Sequence, residues 1–264
     1  LSLHDALPIS SFLKIQIWMK MIPSRQKLIP YFMWSIPLFF FAFQFILRLW
    51  QGLMMDKLIP QFNIDASEFG MLAAFYYYGY AFLQIPIALL IDRYSPRYVL
   101  SFCAILCGVA TFFFTITSNF PLALLSRFLV GAGSASALLC ISKIIAQWFP
   151  KELYARMIGL AVMFGLSGAI YGGKPVGILI KEHSGYTVSL WLAGISIGIG
   201  IFTFLFLRSP KSTEGEVVHE PFGWRNVKQV FLSPVILSLG ITNLLLVGTL
   251  EGFGDVWGVP YMMS

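Results

Sequence analysis

The sequence predicts an all-α polytopic membrane protein. Three observations lead there. Of its 264 residues, 58% are hydrophobic and only 11% charged, against about 25% charged in a soluble domain. Mean hydropathy is +0.78, so the chain cannot cover a water-facing surface. The apolar residues also gather into runs close to the ~20 residues that a membrane helix needs, and Lys and Arg collect on alternate flanks of those runs.

Seven runs carry this pattern, over 29–55, 68–91, 98–117, 121–147, 155–180, 188–207 and 231–256. Each is too long for a barrel strand, which shows only ~10 alternating residues. Ahead of the first run, 1–28 is a non-membrane segment. Its opening string LSLHDALPI, Leu1 to Ile9, resembles the translation of a common short-read sequencing adapter, and the first Met is Met19. We therefore expect residues 1–9 to be foreign to the fold. The stretch 208–230, RSPKSTEGEVVHEPFGWRNVKQV, is the longest polar segment and reads as a flexible linker. Within it, Trp224 to Val230 forms a possible amphipathic surface piece.

The flanks orient the runs. One set holds Lys14, Lys20, Arg25, Lys27, Arg93, Arg97, Lys151, Arg156, Arg208, Lys211, Arg225 and Lys228, the other only Lys57 and Lys181. By the positive-inside rule, the N-terminus, the turns near Arg93 and Lys151 and the 208–230 segment are cytoplasmic. This bias also accounts for the net charge of +6, so no nucleic-acid partner is inferred. Cys103, Cys107 and Cys140 all lie in apolar runs and read as packing residues. No His or acid stands near them to complete a metal site, and no cofactor is implied.

Two motifs then carry a family resemblance. The turn after the second run reads ALLIDRYSPRYVL and resembles the loop between helices two and three of the major facilitator superfamily, G-x-x-x-D-R-x-G-R-R. Asp92, Arg93 and Arg97 match its charged positions, while Ala88 and Ser95 replace its glycines. The fourth run reads SRFLVGAGSASALLCISKIIAQWFP and resembles the family's R-x-x-x-G-x-G, with Arg127, Gly131 and Gly133 matching. The stretch AFYYYGYAFLQIPIALLIDRYSPR is also similar to a bacterial subgroup related to lysosomal transporters of that superfamily. The fifth run offers Gly159, Gly168 and Gly172, matching the opening of the family's antiporter motif, with the expected Pro displaced to Pro175. We read these as close packing plus a kink.

The resemblance implies an MFS-type six-helix bundle over 29–207, the linker 208–230, and the first helix of a second bundle over 231–264, with the rest truncated after Ser264. It implies twelve helices in two halves, with substrate between them near the bilayer midplane. It also implies that Asp92, Arg93 and Arg97 form a conformational latch whose partner lies in the missing C-terminal half.

Four basic residues fall well inside the runs, away from their ends or flanks: Arg48, Arg127, Lys143 and Lys174. An intramembrane charge is costly and marks function by default. Lys143, near the end of its run, reads as snorkelling to the interface. Arg48 and Lys174 read either as substrate handles, since a guanidinium grips a carboxylate through two parallel hydrogen bonds, or as structural donors to helix carbonyls. Tyr76, Tyr77, Tyr78 and Tyr80 point to all sides of the second helix, and Gln84 follows one turn on. Arg48, Lys174, Tyr77, Tyr80 and Gln84 are therefore the substrate-binding candidates.

The reading is a secondary active or facilitative transporter in the cell (inner) membrane, taking a small anionic or carboxylate-bearing solute by alternating access. Organic acids, amino acids and short peptides are the candidates. A sugar would also use Tyr and Gln, and a half-size protein that dimerises as a transporter or scaffold is a third reading. An enzyme is disfavoured, because His4, His183 and His219 lie outside the runs.

Overall fold

Lipid offers the backbone no hydrogen-bond partner, so every spanning segment must satisfy its own N–H and C=O groups. The computed structural model of the chain describes residues 24–210 and 233–248, and all their spanning segments are helical. Leu1 to Ile9, the Trp224–Val230 piece and the chain beyond Gly248 lie outside the described residues. Six spans are long and apolar enough to cross a membrane: Leu28–Phe62, Ala66–Arg93, Pro96–Ile116, Phe120–Trp148, Lys151–His183 and Gly185–Phe206. The chain is therefore a multi-pass membrane protein, as the composition predicts. The seventh run enters as α10, Pro234–Asn243, followed by a π-helical turn at Leu244–Gly248.

Three of the six spans are interrupted. The first is α1, Ser24–Leu49, then a tight turn at Gly52–Met54, then α2, Met55–Phe62. It runs seven residues past the predicted end at 55, because α2 buries Leu58 and Phe62 on one side and exposes Asp56 and Lys57 on the other. The second and third spans are single helices, α3 (Ala66–Arg93) and α4 (Pro96–Ile116). The fourth divides at Ala135 into α5, Phe120–Ser134, and α6, Ser136–Trp148. The fifth divides at Gly173 into α7, Tyr154–Gly172, and α8, Lys174–His183. The sixth is α9, Gly185–Phe206.

The kink expected at Pro175 is thus a full break. Gly173 has φ −84° and ψ −110°, outside the helical region. Pro175 follows in the first turn of α8, where its missing N–H costs no hydrogen bond.

Helix ends are closed by short polar side chains. Asp65 accepts from the Glu68 amide at 2.7 Å while Glu68 accepts from the Asp65 amide at 3.1 Å, a complete capping box on α3. Asn119 caps α5 by accepting from the Leu122 amide. Asn63 ends α2 in the left-handed region, φ 52°, which Asn tolerates better than most residues.

Packing relies on small residues, as expected where lipid tails remove the hydrophobic drive between helices. Between α3 and α5, a Cβ on Gly131 would overlap the Tyr76 carbonyl, and one on Gly79 would overlap the Phe128 carbonyl. Gly133 leaves room for the Cys107 sulfur and the Cys103 carbonyl of α4. Gly168 admits the Ala42 carbonyl of α1 against α7. Between α4 and α9, the Ser196 hydroxyl donates to the Ala104 carbonyl at 2.8 Å. The three cysteines are buried and free, and the Cys107 thiol donates to the Val130 carbonyl at 3.3 Å. Gly168 and Gly172 meet the predicted close packing, with Ile46 Cα 3.1 Å from a Cβ placed on Gly172. Gly159 does not, for a Cβ placed there would meet nothing within 4 Å.

The same contrast sets a test. Gly131→Val forces a branched side chain onto a backbone carbonyl and is expected to lower stability by more than ~2 kcal/mol, read as a lower Tm and loss of the monodisperse fraction in detergent. Gly159→Ala fills open space and relieves a helical glycine, so its Tm should hold or rise by the equivalent of at most ~1 kcal/mol.

Candidate functional site

Among the described residues the most buried charge is Arg127, 1% exposed, on α5. A guanidinium has five N–H donors and no acceptor, and here the donors find main-chain oxygens. Nη1 donates to the Leu47 carbonyl at 2.9 Å, Nη2 to the Arg48 carbonyl at 3.3 Å and Nε to the Leu72 carbonyl at 3.3 Å. Leu47 and Arg48 are in the last turn of α1, whose carbonyls lack helical partners and carry its partial negative charge. The Tyr76 ring lies 5.0 Å from the guanidinium carbon, and the Tyr76 hydroxyl donates to Gln44 Oε1 of α1 at 2.7 Å. Arg127 therefore ties α1, α3 and α5 together where the first span breaks.

That break presents Arg48. Its guanidinium carbon sits 4.6 Å from the Phe45 ring centroid and 5.9 Å from that of Tyr77, a cation held against aromatic faces. Arg48, Tyr77 and Arg127 line one small pocket with Gln51, Gly52, Phe69 and Ala73. No acid is among these residues.

The structure thus brings two of the five substrate-binding candidates, Arg48 and Tyr77, to one pocket. Tyr80 is half-buried and stacks on Tyr76 with centroids 6.3 Å apart. Gln84 is half-buried one turn further along α3. Lys174 is exposed at the start of α8, beyond the break at Gly173. None of these three lines the Arg48 pocket. The tyrosine run divides by face: Tyr76 is buried against α1, Tyr77 turns to the pocket, and Tyr78 is 60% exposed. Sequence reasoning missed Gln51. Its signal was its spacing, three residues past Arg48 and so on the same side of a helical turn.

A second polar cluster lies at the end of the bundle that carries Arg93. Lys143 of α6 reaches Asp92 Oδ1 at 2.7 Å, so the lysine expected to snorkel ends on an acid. Arg97 donates through Nε to the Phe204 carbonyl near the end of α9, with its guanidinium carbon 4.8 Å from the Phe204 ring. The Ser95 and Ser209 hydroxyls lie 3.0 Å apart. Arg93 is exposed beside the Tyr94 ring. Asp92 and Arg97 thus bind α6 and α9 of the same bundle. Gly131 and Gly133, with Arg127 the matching residues of the fourth run, form the close contacts to α3 and α4 described above. Among the described residues, no group of three or more His, Cys, Asp or Glu is placed to hold a metal ion.

Known proteins share parts of this sequence and fold. "Uncharacterized transporter YybO" of Bacillus subtilis is 26% identical over 150 residues, 57% of this chain and 34% of the relative. "Probable anion transporter 4, chloroplastic" of Arabidopsis thaliana is 27% identical over 140 residues, 52% of this chain and 25% of the relative. These matches span about a third or less of the length of the relatives. The crystal structure of a bacterial homolog to the human lysosomal transporter Spinster, inward-facing and unoccupied, superposes with a TM-score of 0.66 at 21% identity, covering 86% of this chain and 55% of that one. The fold is that of such transporters. The family model described as Major Facilitator Superfamily matches residues 28–264, nearly the whole sequence, and the chain belongs to that superfamily.

Proposed function

We propose that the chain belongs to a membrane transporter that moves a small anionic, carboxylate-bearing solute by alternating access, with Arg48 as the handle for the anion. The observation that carries this reading is the pocket at the α1 break, where Arg48 and Arg127 stand together with Tyr77 and, among the described residues, no acid. Two guanidinium groups in one low-dielectric site give it a positive field that an anion offsets. Arg48 lines the pocket wall beside the Phe45 and Tyr77 rings, and we assign it as the handle. The printed name of the Arabidopsis thaliana relative, an anion transporter, supports the same choice. The family and the relatives are transporters and not enzymes.

We further place the transporter in the inner membrane with a cytoplasmic N-terminus. We divide the chain into a bundle over 29–207, a linker over 208–230 and the start of a second bundle from 231. The orientation follows from the Lys and Arg bias, and the division from the family's two-half plan. Lys174, Tyr80 and Gln84 enter as residues that meet the solute in a different conformation or on a larger substrate.

The test is uptake by the whole transporter in proteoliposomes. Arg48→Ala should raise the apparent KM for a labelled carboxylate about tenfold or more, as expected for loss of a charge-assisted pair, and leave Tm nearly unchanged. Unchanged uptake would remove Arg48 from the site. Arg127→Lys should act in the opposite way, because a point charge cannot serve three separate carbonyls: Tm falls before KM moves. At the other end, Lys143→Met breaks an exposed ion pair worth no more than ~1 kcal/mol. Stability should hold while the maximal transport rate falls, and an unchanged rate would remove the Asp92 turn from the conformational cycle.

A further inference from the structure

Arg97 uses only one edge of its guanidinium inside the bundle. Nε donates to the Phe204 carbonyl, and the group lies over two rings, 4.8 Å from the Phe204 centroid and 5.6 Å from that of Tyr98. Nη1 and Nη2 have no hydrogen-bond partner among the described residues. A second arginine stands at the same corner. The Tyr98 and Phe204 rings meet at 6.1 Å and the Ser95 and Ser209 hydroxyls at 3.0 Å, so the start of α4 and the chain leaving α9 are held together. Arg208, next to Ser209, is exposed, and its side chain has no partner among the described residues. Asp92, the acid nearest to them in the sequence, pairs with Lys143 on α6.

Beyond these two cations the surface turns apolar. Phe102, one turn along α4 from Tyr98, is 66% exposed, and Ile201, one turn along α9 from Phe204, is 50% exposed. Arg97 lies in the first turn of α4 and Arg208 just past the end of α9. Both therefore stand where the apolar length of the spans ends, at the level of lipid headgroups.

We infer that this corner binds an anionic phospholipid, with Arg97 and Arg208 on the headgroup phosphate and the acyl chains along α4 and α9. The two Nη groups of a guanidinium match two phosphate oxygens through parallel hydrogen bonds, and the two rings fix its plane. A choline headgroup brings its own cation to a corner that already holds two, so a lipid with a net negative charge is favoured. A soluble anion would meet the arginines alone, whereas a lipid also covers the exposed Tyr98, Phe102, Phe204 and Ile201. The inference is independent of the solute that the transporter carries.

The experiment is native mass spectrometry of the purified full-length transporter, given equal amounts of phosphatidylglycerol and phosphatidylcholine with the same acyl chains. Each arginine at the headgroup level adds about fivefold, so retained phosphatidylglycerol should exceed phosphatidylcholine by about tenfold or more. Arg97→Gln with Arg208→Gln should bring the two lipids to within about twofold of each other. Arg208→Gln alone changes an exposed side chain and should cut the preference about threefold or more, which keeps the test open if the double variant does not fold. Lys151→Gln with Arg156→Gln removes two exposed charges from another turn at the same end of the bundle and should leave the preference unchanged. An equal loss in that control would show diffuse attraction to the membrane surface and overturn the site. A preference that survives both arginine substitutions overturns it as well. Inorganic phosphate should not displace the lipid, and displacement at millimolar concentration would make the corner a site for soluble anions and overturn the lipid inference.

Discussion

One buried guanidinium sets the terms for the rest of the bundle. The last carbonyls of a helix have no partner within it and, where buried, need donors from elsewhere. The first span stops at Leu49 before resuming as α2. Arg127 answers that constraint from α5 by donating to Leu47, Arg48 and Leu72. The same contacts resolve the cost of burying Arg127, since its charge sits at the negative end of α1. Charge and break therefore stabilise each other.

The clamp works because the helices it joins are already close. At Gly131 and Gly79 the α3 and α5 backbones approach so nearly that no side chain fits between them. That approach brings the Leu72 carbonyl within reach of Arg127 and places Tyr77 over the same region as Arg48. Binding groups held by helices and fixed by neighbouring packing are positioned more tightly than groups on loops. Here the pocket forms where a helix end, a buried cation and an aromatic residue of a second helix meet.

The charged turn at Asp92 shows a different economy. The Asp92 carboxylate is 63% exposed, so its ion pair with Lys143 adds little to stability. Arg97 is held more firmly, with a carbonyl and two aromatic rings around it. One turn thus combines a fixed anchor on α9 with a labile contact on α6.

The sequence by itself determined the class, the number of spans among the described residues and the family. These depend on run length, the spacing of Lys and Arg and two short motifs, all of which are local. It also marked Arg48 and Tyr77, because a charge or a tyrosine cluster inside an apolar run is conspicuous wherever the helix sits. It left open whether an intramembrane Arg binds a solute or a backbone carbonyl. That depends on what a distant segment places opposite, and α1 lies some 80 residues from Arg127 in the chain. The tertiary structure decided it, giving Arg127 to the α1 carbonyls. Tertiary structure also decided that Gly168 is a contact while Gly159 meets open space, that Lys143 meets Asp92, and that Gln51 shares the Arg48 pocket. In each case the deciding quantity is a distance across helices, and periodicity along one helix contains no information about its neighbour.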